Sequence, residues 1–151
     1  MPLDVVFDIP FPPGKVNPDY ERAGQQSLEW LRSLAVIGSG QAAADFKLMK
    51  LAESTALAYP DAEGDDLDVV SDLNYWFGLY DFMFDNRQGH ASQIVEPTCL
   101  GCLAVIEGGP LAAATHTRAP MVAALADVWS RLITGMSRYW QARVACDLRG
   151  F

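Results

Sequence analysis

The stretch Leu67–Asn86, LDVVSDLNYWFGLYDFMFDN, decides the fold. It is too long for a strand, which usually spans about 5–6 residues. Asp65, Asp66 and Asp68 crowd its start, where acids suit the positive end of a helix. It approaches the length of a membrane span. However, Asp72, Asn74, Gly78, Asp81 and Asp85 interrupt it, and no Lys or Arg flanks its start, which argues against spanning. The stretch therefore reads as the buried central helix of an all-α domain. Asp81 and Asp85 are spaced i, i+4 and stack on one helical face, with Phe77 one turn earlier on that face. Carboxylates inside an apolar helix are costly to desolvate. Such groups are paired or hold a metal.

Outward from this helix, the chain breaks into further helical segments. Residues 1–16 are proline-rich and are expected to be extended, and 17–151 helical. Asn17-Pro18 offers a cap followed by proline at the first helical position, with a helix to about Val36. A second helix is expected from about Gln41 to Leu57, before Tyr59-Pro60. Gln88–Ser92 reads as a connection, and Pro97 as the opening of a helix to about Glu107. Gly108-Gly109-Pro110 is a strong break. Pro120 opens the next helix. Its apolar period through Val122, Leu125, Trp129, Leu132 and Met136 runs on to Trp140 and Val144, with a kink near Gly135. No strand alternation and no internal repeat is visible.

The 151 residues predict one domain, and an apolar half of the composition makes it globular. The net charge of −8 argues against nucleic acid and against an anionic membrane surface. MPLDVVFDIP has neither a basic nor an apolar leader region, so a cytoplasmic location is expected, with the three cysteines reduced. Cys99-Leu100-Gly101-Cys102 has Cys-x-x-Cys form. A redox reading wants a βαβ context, and a zinc reading wants a second ligand pair. Neither is present, so both cysteines read as small core residues. His90 and His116 read as loop residues.

FGLYDFMFDNRQG resembles the aspartate-rich segment of bacterial class I terpene synthases. FDIPFPPGKVNPDYERA, ALAYPDAEGDDLDVVSDL and LADVWSRLITGMSRYWQAR are similar to other blocks of that family, the last with Trp129, Arg131, Met136 and Trp140 in place. The resemblance implies the N-terminal half of the class I terpenoid synthase helical barrel. It implies that Asp81 and Asp85 hold Mg²⁺ against the diphosphate of a linear prenyl substrate, farnesyl diphosphate, and that the enzyme cyclises it. Phe77 is then a wall of the substrate cavity. Trp76, Tyr80 and Phe84 read instead as helix-packing residues. Phe82 stands where many members carry a second aspartate, which removes one carboxylate from the motif.

The family's second metal motif is an Asn, then Ser or Thr four later, then an acid eight later. Asn17 is followed at those offsets by Glu21 and Gln25, Asn74 by Gly78 and Phe82, and Asn86 by His90 and Ile94. None fits. The chain is therefore expected to be a truncated or split cyclase, inactive alone, with a C-terminal half or a second copy as partner. The alternative is a helical interaction module that keeps the fold without the chemistry.

Overall fold

The computed structural model describes residues 14–38, 49–85, 91–108 and 119–149, the side chains of 83–85 and 91–95 excepted. Among them are α1 (Tyr20–Ser33), α2 (Leu51–Ala58), α3 (Gly64–Asp85), α4 (Ala91–Gly108), α5 (Pro120–Leu132) and α6 (Arg138–Arg149). The described residues contain no strand, in keeping with the all-α reading. No described helix is long and apolar enough to cross a membrane.

The central helix is where the sequence puts it. α3 runs from Gly64, with Asp65 and Asp66 in its first turn, to Asp85. It packs against α1, α2, α4 and α5. Its apolar residues point all round because neighbours cover most of its circumference. One side carries Tyr75 and Leu79 into a cluster with Leu28 and Leu31 of α1. Another carries Trp76 into a larger cluster with Cys102 and Val105 of α4 and Val122, Leu125, Val128 and Trp129 of α5. The close approach of α4 and α5 depends on Gly101. A Cβ there would stand 2.7 Å from Val122 Cγ2.

Four boundaries differ from the sequence reading. Asn17 does not cap α1, which begins at Tyr20 after Asp19. Asn17 is buried instead, and its amide donates to the carbonyls of Tyr59 and Ala62 at 2.8 Å each. Its backbone N–H reaches Ala56 O at 3.1 Å. The residue therefore fastens the entry of the chain to the loop between α2 and α3, while its Oδ1 accepts the Asp19 N–H at 3.0 Å in the turn ahead of the helix. The expected second helix is not continuous to Leu57. Lys50 has φ 51° and α2 starts after it; 39–48 lie outside the described residues.

Pro97 does not open α4 but lies inside it, the helix having begun at Ala91. Proline forfeits one backbone hydrogen bond there, and packing against α3 and α5 sustains the helix across the gap. The last expected helix is broken rather than kinked. α5 ends at Leu132, Gly135 takes φ +80°, and α6 begins at Arg138. A positive φ is open to glycine at little cost, and it ends a helix rather than bending it.

Pro120 does stand at the first turn of α5 after Ala119, as expected. Of the proline-rich N-terminal segment only 14–16 are described, and they are not helical. His90 and His116 lie outside the described residues.

Candidate functional site

The site grows from the C-terminal half of α3. Trp76, Phe77 and Tyr80 follow one another around the helix and form one aromatic group. Trp76 and Tyr80 stack at 4.9 Å with planes 21° apart, and Phe77 meets Trp76 edge-on at 5.3 Å. Trp76 is fixed by its Nε1–H, which donates to Met121 O at 2.8 Å. The Tyr80 hydroxyl lies 3.1 Å from Cys99 Sγ on α4.

These rings wall a cavity of about 510 Å³. Cys99 and Cys102 of α4, Trp129 of α5 and Trp140, Val144 and Leu148 of α6 complete its apolar sides. A second space of about 640 Å³ shares Phe77, Tyr80 and Leu148 with it. Asp81, Asn74 and Gly78 belong to this second space. Asp81 is exposed. An exposed carboxylate thus stands beside apolar space whose wall continues inward through Phe77 and Tyr80.

Each sequence-derived site residue can now be located. Phe77 and Asp81 line the same space, as one turn of helix requires. Asp85 is on α3 by its backbone, but its side chain, like that of Phe84, lies outside the described residues. Phe82 is 51% exposed. Trp76 is a core residue, as read from the sequence, and also lines the first cavity. Tyr80 differs from that reading, because it lines both spaces as well as packing on Trp76. Spacing on one helix could not find it, since the cavity is wider than one row of side chains. The walls from Trp129 and Trp140 were equally hidden, because they arrive from other helices.

Cys102 is chemically quiet. All three cysteines are free, and Cys102 is buried. Burial first, then Cys99, pushes the Cys102 thiol up to about 12. It stays protonated at neutral pH, and thiolate chemistry needs the opposite shift. Burial, followed by Cys99, likewise raises the Tyr80 phenol.

Asp72, which the sequence offered only as an interruption of the apolar run, is the most buried acid of α3, at 0% exposure. It pairs with Arg131 of α5 at 2.8 Å. Arg131 also holds Asp127 Oδ2 at 2.8 Å and lies 5.5 Å above the Trp30 ring, whose Nε1–H donates to the same Asp127 oxygen. Burial raises the Asp72 carboxyl, against the lowering from Ser27, Arg131 and Gln26. Its Oδ1 has no partner among the described residues. The pair braces α3 against α5 behind the aromatic wall.

Among the described residues no three His, Cys, Asp or Glu side chains gather into a metal cage. Mg²⁺ does not require one, since it commonly takes one or two carboxylates and completes its octahedron with water and substrate phosphate. An exposed Asp81 beside the cavity suits that mode of binding.

No family model matches the sequence. Individual proteins do. The chain is 41% identical over 152 residues to pentalenene synthase from Streptomyces avermitilis, covering 100% of this chain and 44% of that protein. It is 33% identical over 151 residues to a (-)-beta-caryophyllene synthase ((2E,6E)-farnesyl diphosphate cyclizing) from Saccharothrix espanaensis, covering 99% of this chain and 42% of that one. The solved structure of linalool/nerolidol synthase from Streptomyces clavuligerus superposes with a TM-score of 0.75 at 31% identity, over 89% of this chain and 43% of that one. The chain spans less than half the length of the curated relatives it matches.

Proposed function

The chain belongs to the bacterial terpene synthase family, and on that premise we propose that α3 contributes the magnesium-binding carboxylates and an aromatic wall to a class I cyclase site. The substrate of that site is a linear prenyl diphosphate, farnesyl diphosphate, and the reaction is ionisation followed by ring closure. The observation that carries this reading is the position of Asp81 at apolar space that continues inward along Phe77 and Tyr80. The name of the relative from Saccharothrix espanaensis supports farnesyl diphosphate as substrate.

Asp81 and Asp85 would hold the ion. Bound there, Mg²⁺ supplies Lewis-acid charge that stabilises the departing diphosphate. The chain's own residues do the rest of the work on this side of the site. Phe77, Tyr80 and Trp129 keep water from the allylic cation, and ring faces attract positive charge. Trp76 lines the same cavity, and its hydrogen bond to Met121 O holds the stack that orients Tyr80. Asp72 and Arg131 brace the helix behind the stack.

The clamp on the diphosphate is incomplete within these residues. The second metal motif and the family's basic residues are not among them. Preorganised charge at the leaving group is commonly the largest catalytic contribution, and losing one donor costs about 10²–10³ in rate. The 151 residues alone are therefore expected to give no cyclic product. A C-terminal half from a relative would complete the site. Phe82 favours a second reading, a helical module that keeps the fold without the chemistry, because it removes one carboxylate from the motif.

Mn²⁺ titration by paramagnetic relaxation, with diphosphate present, separates the two. Binding that is lost in Asp81→Ala supports the cyclase site; equal binding in both proteins sinks it. Gas chromatography of the complemented pair, with and without Mg²⁺, then reads the product. Cyclic product from the 151 residues alone would overturn the account of which groups the chemistry needs.

A further inference from the structure

A pocket between α1 and α2 is lined by neither Asp81 nor its aromatic wall, with Leu51 standing between it and the space beside Asp81. It encloses about 460 Å³. Its floor is Tyr75 of α3, 5% exposed. Gly24 lets the phenol come close to bare backbone, since a Cβ there would stand 2.9 Å from the Tyr75 hydroxyl and 2.9 Å from Ala52 Cβ. The hydroxyl makes no hydrogen bond to any described residue. The ring is enclosed by the fold, and the hydroxyl is its one polar atom open to the pocket. Turned into a pocket, it is available to a ligand.

The rim supplies charge. Glu21 of α1 and Glu53 of α2 line the pocket with Tyr20, and both carboxylates are exposed. Neither forms an ion pair with a described residue, and Lys50, which also lines the pocket, pairs with neither. Tyr20 donates to Glu21 Oε1 at 3.3 Å. Both phenols are held above their ordinary range, Tyr20 by Glu21 first and Tyr75 by burial first, with Glu53 acting on each. They stay protonated. A metal ion would want deprotonated oxygens, whereas a neutral phenol accepts an N–H well.

We propose that this pocket binds a small alkylammonium ion, held by Glu21 and Glu53 at the rim and donating to the Tyr75 hydroxyl at the floor. The site goes beyond the cyclase reading and uses none of its residues.

The test is calorimetric titration of the full chain with cadaverine at fixed ionic strength, with Mg²⁺ as competitor. Saturable binding is expected. It should weaken about tenfold in Tyr75→Phe and in Glu53→Gln, the size of one charge-assisted hydrogen bond. Free Tyr75→Phe should melt no lower than the wild type, because its hydroxyl has no partner among the described residues to lose. Absence of saturable binding overturns the proposal. So does unchanged affinity in either variant, or displacement by Mg²⁺ at equal concentration, which would mean charge attraction alone. A clear fall in melting temperature for free Tyr75→Phe would show that the hydroxyl is already used by the fold, and would overturn it as well.

Discussion

Asp72 and Asp81 are carried by the same helix and occupy opposite environments. Asp72 is fully enclosed and bound to Arg131, whereas Asp81 is exposed beside apolar space. A carboxylate in the middle of a buried helix must spend its charge inside the fold, because leaving water without a partner is too costly. A carboxylate near the helix end keeps its charge for something outside. The same residue type is therefore a brace at one position and a candidate ligand at the other.

The sharpest way to break this contrast is to strand Asp72. Arg131→Ala removes its cation and should cost about 3–5 kcal/mol, as for other interrupted buried pairs. Urea unfolding measures it; a loss below about 1 kcal/mol would mean that Asp72 does not depend on Arg131. The pH dependence gives a second check. The folded carboxyl of Asp72 is raised above its unfolded value, so the folded state binds the proton more tightly. Stability from this group is present at low pH and falls as pH rises from the ordinary carboxylate range through the raised value. Arg131→Ala should steepen that fall, and Asp72→Asn should abolish it.

Next in size are the glycines at the two kinds of interface. Gly101→Ala drives a methyl against Val122 Cγ2 at 2.7 Å, and β-branched Val122 has little freedom to turn away. A loss of about 1–3 kcal/mol is expected by thermal unfolding. Gly78→Ala, on the cavity side of α3, meets Leu51 Cδ1 at 2.9 Å, the far end of a flexible side chain. It should cost far less, offset by alanine's helix preference of about 1 kcal/mol over glycine. Equal losses in the two variants would erase the distinction between a rigid core side and a yielding cavity side.

Trp76→Phe comes third. It keeps an aromatic ring but removes the indole N–H that Met121 O accepts in addition to its place in the α5 ladder. A loss of about 1 kcal/mol is expected from denaturant midpoints. The smallest effect on stability belongs to Asp81→Ala, within about 0.5 kcal/mol for an exposed site, while Mn²⁺ binding is lost. A large destabilisation there would make Asp81 a second brace. Phe82→Asp should leave stability similarly unmoved and strengthen Mn²⁺ binding, by adding a carboxylate at an exposed position.

Much of this architecture is legible in residue order. The acids at 65 and 66 announce the start of α3, and Pro120 announces α5, because both act through the nearest turn of backbone. Legibility fails where a distant partner intervenes. Asn17 has the chemistry of a cap, but its Oδ1 accepts the Asp19 N–H ahead of the helix, while its amide N–H groups reach the distant carbonyls of Tyr59 and Ala62. Pro97 has the chemistry of a helix opening, yet α4 runs through it, exposed on a helix that packs on α3 and α5 along other residues. Gly135 sits in an unbroken apolar period, and only its positive φ reveals that the helix stops.

The candidate site divides in the same way. Spacing alone puts Phe77, Asp81 and Asp85 on one face, because the pitch of a helix is fixed by its own backbone hydrogen bonds. Composition and periodicity alone make the chain all-helical around that segment. Tertiary structure decided that Tyr80 joins Phe77 along the cavity, that Trp129 and Trp140 close it, and that Asp72 belongs to Arg131. Those facts depend on which helix lies against which, and packing of side chains from distant parts of the chain sets that.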